Sequence, residues 1–68
     1  MKLSARNQLK GTIVEVKKGQ TPAHVRINVS GTVVTASITN EAVDELKLQT
    51  GQQAYAVIKA SDVMVAID

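Results

Sequence analysis

From Ala23 to Ser30 the chain alternates without a fault: Ala23, Val25, Ile27 and Val29 on one parity, His24, Arg26, Asn28 and Ser30 on the other. A period of two is the pattern of a strand with one face buried and the other in water. Ser30-Gly31 is a tight-turn pair, and beyond it Val34, Ala36 and Ile38 alternate with Thr35, Ser37 and Thr39. Two such runs joined by a short glycine-containing turn read as a β-hairpin, so the chain is committed to an antiparallel sheet. Composition agrees. Ten valines, five isoleucines and six threonines among 68 residues are a heavy share of β-branched side chains, which pack well on a pleated surface.

The remaining elements are shorter. Thr12 to Lys17 reads as a strand with Val14 and Val16 facing inward, closed by the loop Lys18-Gly19-Gln20-Thr21-Pro22. Residues 2–9 form an additional extended segment. Ala54 to Lys59 and Val63 to Ile67 read as two more strands around a turn at Ala60-Ser61-Asp62. One segment is helical: Asn40 is a good N-cap, Glu41 and Asp44 place negative charge early, and Val43 and Leu46 stand three apart before the break at Thr50-Gly51. The helix spans about two turns. This order predicts an all-β domain with one short helix, a five-stranded Greek-key barrel of the oligonucleotide/oligosaccharide-binding (OB) type, occupying residues 1–68 as a single unit. An SH3-like barrel is the alternative architecture.

So short a chain has a thin core. Roughly 60 residues bury only about 60% of their unfolded surface, and small domains compensate with disulfides, metals or self-association. There is no Cys, and His24, the one histidine, has no Cys or second His with which to share a structural zinc. The expectation is a homo-oligomer. No apolar run approaches the ~18 residues of a membrane span. The first residues turn polar at once, which predicts no secretory signal and a cytoplasmic location. Eight Lys and Arg balance six Asp and Glu, with Lys17-Lys18 the longest basic run. That pattern suits small anions better than a nucleic-acid backbone.

A catalytic constellation is not legible. No Ser-His or Cys-His pairing follows from the spacing, the acids lack metal-loop spacing, and Gly11, Gly19, Gly31 and Gly51 are isolated. The expectation is a protein that is not an enzyme and coordinates no metal directly through side chains. Two segments differ. In Ser4-Ala5-Arg6-Asn7-Gln8, an extended backbone puts Ser4, Arg6 and Gln8 on one face. In Ile58-Lys59-Ala60-Ser61-Asp62, an ammonium and a hydroxyl meet backbone N–H groups at a strand-to-turn junction. Both offer hydrogen-bond donors in several directions, as a small oxoanion requires. An ordinary polar edge strand and an ordinary turn would look the same from spacing alone.

Ser4-Ala5-Arg6-Asn7-Gln8-Leu9-Lys10-Gly11 and Ile58-Lys59-Ala60-Ser61-Asp62-Val63-Met64 resemble the opening and closing motifs of the molbindins (Mop family), small molybdate-binding proteins. Thr35-Ala36-Ser37-Ile38-Thr39-Asn40 and Leu46-Lys47-Leu48-Gln49-Thr50-Gly51 resemble that family's central strand and its helix-to-strand turn. The resemblance covers essentially the whole chain. It implies an OB-type barrel assembled as a hexamer, a trimer of dimers, with molybdate or tungstate held at subunit interfaces. It also implies that Ser4 and Arg6 of one subunit meet Thr39, Lys59, Ala60 and Ser61 of its neighbour, Ala60 through its backbone. Related domains place a serine three positions after this threonine; here Ala42 stands there, one hydroxyl fewer. A second class of anion site on the family's symmetry axes finds no match to particular residues.

The chemistry of the ligand fits the donors. Molybdate at neutral pH is a tetrahedral dianion whose oxygens all accept, and Arg, Lys, hydroxyl and backbone N–H groups can satisfy them. Phosphate carries a proton near pH 7 that needs an acceptor, and leaving it unpaired costs roughly 1–3 kcal/mol. Free oxoanion is favoured over a molybdenum-pterin, whose flat ring asks for aromatic or concave apolar walls. The reading from a different class is a single-stranded nucleic-acid-binding module, suggested by the barrel and the basic balance. Such modules stack bases on aromatic side chains, and Tyr55 is the only one here.

Overall fold

A computed structural model describes all residues, 1–68. Strands β1 (Asn7–Lys18), β2 (Pro22–Val29) and β3 (Thr32–Thr39) are followed by helix α1 (Asn40–Leu46), strand β4 (Gln53–Ile58) and a 3-10 turn at Ala60–Asp62. One antiparallel sheet results, ordered β3-β2-β1-β4. The alternation at Ala23–Ser30 and Val34–Thr39 is realised as read: Ala23, Val25 and Ile27 are buried while His24, Arg26 and Asn28 face out. The hairpin between β2 and β3 turns through Ser30 (φ 51°) and Gly31 (φ 94°). Two successive positive φ angles match the right-handed twist of the flanking strands. The Asn28 side chain accepts from the Gly31 N–H at 2.8 Å.

β1 is the longest element because it serves two partners. Its first half pairs with β4, from Asn7 opposite Ile58 to Thr12 opposite Gln53. Its second half pairs with β2, from Thr12 opposite Asn28 to Lys18 opposite Ala23. The strand changes neighbours at Gly11-Thr12, where the backbones crowd: a Cβ on Gly11 would lie 2.4 Å from the Asn28 carbonyl oxygen. Only glycine permits that approach. The extended segment read at residues 2–9 and the strand read from Thr12 to Lys17 are thus one strand, which begins at Asn7.

The alternation from Thr12 to Lys17 predicts Val14 and Val16 facing inward. Val14 instead is 43% exposed, and Ile13 is the most deeply buried large side chain. The cause is a β-bulge: Ile13 opposes Ile27 and Glu15 opposes Arg26, so Val14 is the extra residue. A bulge resets the parity, and Ile13 and Val16 reach the same face although they are three positions apart, an odd step that would otherwise oppose them. The helix differs by one position. Its N-cap is Thr39, whose Oγ1 accepts from the Ala42 N–H at 3.0 Å. Asn40 opens the helix itself, its amide donating to the Gly19 carbonyl at 2.9 Å. The helix stops at a left-handed Lys47, with Leu48 N–H bonded back to Val43. Val43 is buried as expected, whereas Leu46 is 63% exposed.

The strand count is four, not five. Val63–Ile67 forms no strand, because no neighbour within the chain pairs with it; Met64, Val65 and Ile67 are about nine-tenths exposed. The sheet curls around Ile13, Ala23, Val25, Ile27, Val43 and Ala56, the only six buried residues. It does not close on itself, since β3 and β4 remain its two free edges. Truncating a buried branched side chain in so thin a core is costly. Ile27→Ala lowers stability to urea unfolding by about 2–5 kcal/mol; an unchanged midpoint would mean that Ile27 does not face the core.

Candidate functional site

The antiparallel register of β1 and β4 decides which candidate residues meet. Asn7 opposes Ile58, so the chain entering β1 and the chain leaving β4 lie at the same end of the sheet. That brings Ser4 and Arg6 to the end that carries Lys59, Ala60 and Ser61. The opening segment is tied there by the Asn7 amide on the Ile58 carbonyl at 3.2 Å and the Gln8 amide on the Ala5 carbonyl at 3.0 Å. Past β4 the chain folds into the 3-10 turn, with Asp62 N–H bonded to Lys59 O at 2.9 Å and Val63 N–H to Ala60 O at 3.2 Å. The N–H groups of Ala60 and Ser61, at the start of this turn, have no partner within the chain.

The cations at this end form no ion pair within the chain. The two ion pairs of the chain are Lys18 with Asp44 and Arg26 with Glu15, the latter at 3.9 Å. Arg6 and Lys59 therefore stand as exposed cations without a carboxylate, although Asp62 belongs to the same turn as Lys59. A guanidinium, an ammonium, two hydroxyls and two free N–H groups gather donors from several directions, with no acceptor side chain bound to them.

Thr39 is elsewhere. It opposes Pro22 at the start of β2, beside the C-terminal end of β1. The 12 residues of β1 separate that end from Arg6 and Lys59, about 40 Å measured along the curled strand at roughly 3.3 Å per residue. One chain thus collects Ser4, Arg6, Lys59, Ala60 and Ser61 at one end and Thr39 at the other. The resemblance implies that Ser4 and Arg6 of one subunit meet Thr39, Lys59, Ala60 and Ser61 of its neighbour; within one chain the antiparallel register of β1 and β4 brings the segments with Ser4 and Arg6 and with Lys59, Ala60 and Ser61 to the same end of the sheet.

Around Thr39 the surface is concave. A hollow of about 370 Å³ is lined by Thr21, Pro22, Ser37, Ile38 and Thr39. Thr21 and Ser37 were not singled out in the sequence, though Ser37 shares the outward parity of Thr39 two residues away. A second hollow of about 270 Å³, lined by Lys17, Lys18, Gly19, Pro22 and His24, adjoins it at Pro22. A third of about 340 Å³ is lined only by apolar side chains, Ile38, Leu46, Leu48, Tyr55 and Val57 among them. The single aromatic ring, Tyr55, lines this apolar groove and stands opposite Lys10 in the β1–β4 ladder. No three His, Asp or Glu side chains gather to hold a metal ion. No helix is long and apolar enough to cross a membrane.

Thr39 carries a structural duty that any ligand role must share. Its Oγ1 accepts from the helix, so the hydroxyl proton remains free to donate, the polarity an anion needs. Removing the cap weakens the helix. Thr39→Ala is expected to cost about 1 kcal/mol in urea unfolding, while Thr39→Ser restores it; equal stability of the two variants would show that the cap contributes nothing.

Residues 3–65 match the TOBE domain family. A probable molybdenum-pterin-binding protein of Haemophilus influenzae is 46% identical over 69 residues, covering all of both chains. The solved structure of a molybdate-binding protein from Sporomusa ovata superposes with a TM-score of 0.94 at 36% identity, over 98% of this chain and 100% of that one. The cytoplasmic molybdate-binding protein ModG, solved with molybdate bound, superposes with a TM-score of 0.88 at 46% identity, over 94% of this chain and 46% of that one.

Proposed function

The chain belongs to the TOBE domain family, in its molbindin (Mop) type, and on that premise we propose that it binds molybdate as a free oxoanion between copies of itself. The observation that supports this most is the division of the donors: two unpaired cations and two free N–H groups at one end of the sheet, and Thr39 beside the far end of the 12-residue β1. A ligand touching both groups touches two chains. Ser4 and Arg6 supply a hydroxyl and a guanidinium fork, Lys59 an ammonium, Ala60 its backbone N–H, Ser61 a hydroxyl and N–H, and Thr39 a hydroxyl from the other copy. The oxoanion keeps its own oxygens throughout, so the metal is never coordinated by a side chain and no bond of the ligand is made or broken.

Self-association has its own support. The open edges β3 and β4, the apolar groove and the exposed Val63–Ile67 are surfaces that isolated small domains seldom keep wet. We take the assembly to be a hexamer, a trimer of dimers, with the anion at its interfaces. Molybdate and tungstate share shape and charge, so both are ligands. The role is storage or homeostasis of molybdenum in the cytoplasm.

Native mass spectrometry of protein produced with molybdate, paired with bound-metal analysis, is expected to give a six-fold mass carrying molybdenum. A monomer free of metal overturns the proposal. Arg6→Ala is expected to weaken molybdate binding at least tenfold in equilibrium dialysis, roughly the 1.5–3 kcal/mol of a charge-assisted hydrogen bond. Its circular dichroism spectrum stays that of the wild type, because Arg6 is exposed and outside the core. Undiminished affinity would remove Arg6 from the site.

A further inference from the structure

The hollow beside Thr39 holds more hydroxyls than the site has been assigned. Of its five lining residues three carry a side-chain hydroxyl, Thr21, Ser37 and Thr39, and none carries a charge. The register explains the grouping. Thr39 opposes Pro22 and Ser37 opposes His24, so Ser37 and Thr39 project from the same outward face of β3, with Thr21 next to Pro22 across from them. All three are exposed. Neither Thr21 nor Ser37 makes a side-chain hydrogen bond within the chain, whereas Thr39 already accepts from Ala42. Two hydroxyls thus stand unengaged beside a third whose acceptor is occupied and whose proton is free.

We infer that Thr21 and Ser37 are further ligands of the oxoanion that Thr39 touches, a neutral half of the site completed by the cations of a second chain. This rests on the proposed binding of molybdate between copies. Physically, the two halves divide the work. Arg6 and Lys59 provide the charge that offsets removing a dianion from water, and uncharged hydroxyls fix its orientation at little electrostatic cost. A volume of about 370 Å³ leaves room for a tetrahedral oxoanion together with side chains reaching in from a neighbour. The neighbouring hollow shares Pro22 with this one, and its Lys17, Lys18 and His24 do not line it.

The test is titration calorimetry with sodium molybdate on the assembled wild-type protein and on Ser37→Ala, Thr21→Val, the double variant, Thr21→Ser and Thr35→Val. Thr35 lies on the same outward face of β3, opposite Arg26 and outside the hollow. Each single loss of a hydroxyl is expected to weaken binding about three- to tenfold, and the double variant by more than either. Thr21→Ser and Thr35→Val bind as the wild type does. All variants keep the wild-type sedimentation coefficient and thermal midpoint, because neither hydroxyl is bonded within the chain. A double variant that binds as tightly as a binding wild type overturns this assignment and leaves the functional proposal standing. A folded wild type that takes up no molybdate overturns both. A loss of affinity matched in Thr35→Val would show a general effect of the sheet face and also overturn the assignment.

Discussion

Everything in this molecule depends on one strand holding two partners. β1 is paired along its first half with β4 and along its second with β2, and the backbone must pass closely by Asn28 as it changes sides. Gly11 makes the passage sterically possible, and the bulge at Val14 makes it bend. The curl of the sheet follows, and with it the pocket in which six side chains find shelter from water. A larger residue at the crossing, or a strand without the extra residue, would give a flatter sheet with less to bury.

The parity of the hairpin β2–β3 was legible because its two faces differ so sharply in polarity; nothing in the tertiary structure competes with that pattern. β1 was harder to read for a physical reason. Ile13, Val14 and Val16 are all apolar, so the parity of the segment is ambiguous, and the pairing with Ile27 and Arg26 resolves it by ejecting Val14. The helix cap moved by one because Thr39 and Asn40 are both competent caps, and the Asn40 amide is spent on the Gly19 carbonyl instead. Val63–Ile67 has the composition of a strand, but composition cannot supply a neighbour, and none is found within one chain.

The site divides in the same way. The segments with Ser4 and Arg6 and with Lys59, Ala60 and Ser61 share one end of the sheet through the register of β1 and β4, a grouping that the sequence reading divided between two subunits. The place of Thr39 relative to them is set by topology, namely which strand lies between and how long it is. No spacing in the sequence carries that information. Ser37 had a visible signal in its shared parity with Thr39, whereas Thr21 did not, since a loop residue before a proline has no periodicity to place it. Charge also required the structure: Lys18 and Arg26 have carboxylate partners and Arg6 and Lys59 do not, a distinction invisible in a net charge of +2.

The uncovered end of the chain, Val63 to Ile67, makes abundance a thermodynamic variable. A segment with so much apolar surface is at home only against something else, and whatever covers it stabilises the fold by mass action. If that cover is another copy, dilution alone loosens the protein, and a ligand bridging two copies opposes dilution. The quantity of anion in the surroundings and the quantity of the protein itself would then be read by the same equilibrium, each setting how much of the other stays bound.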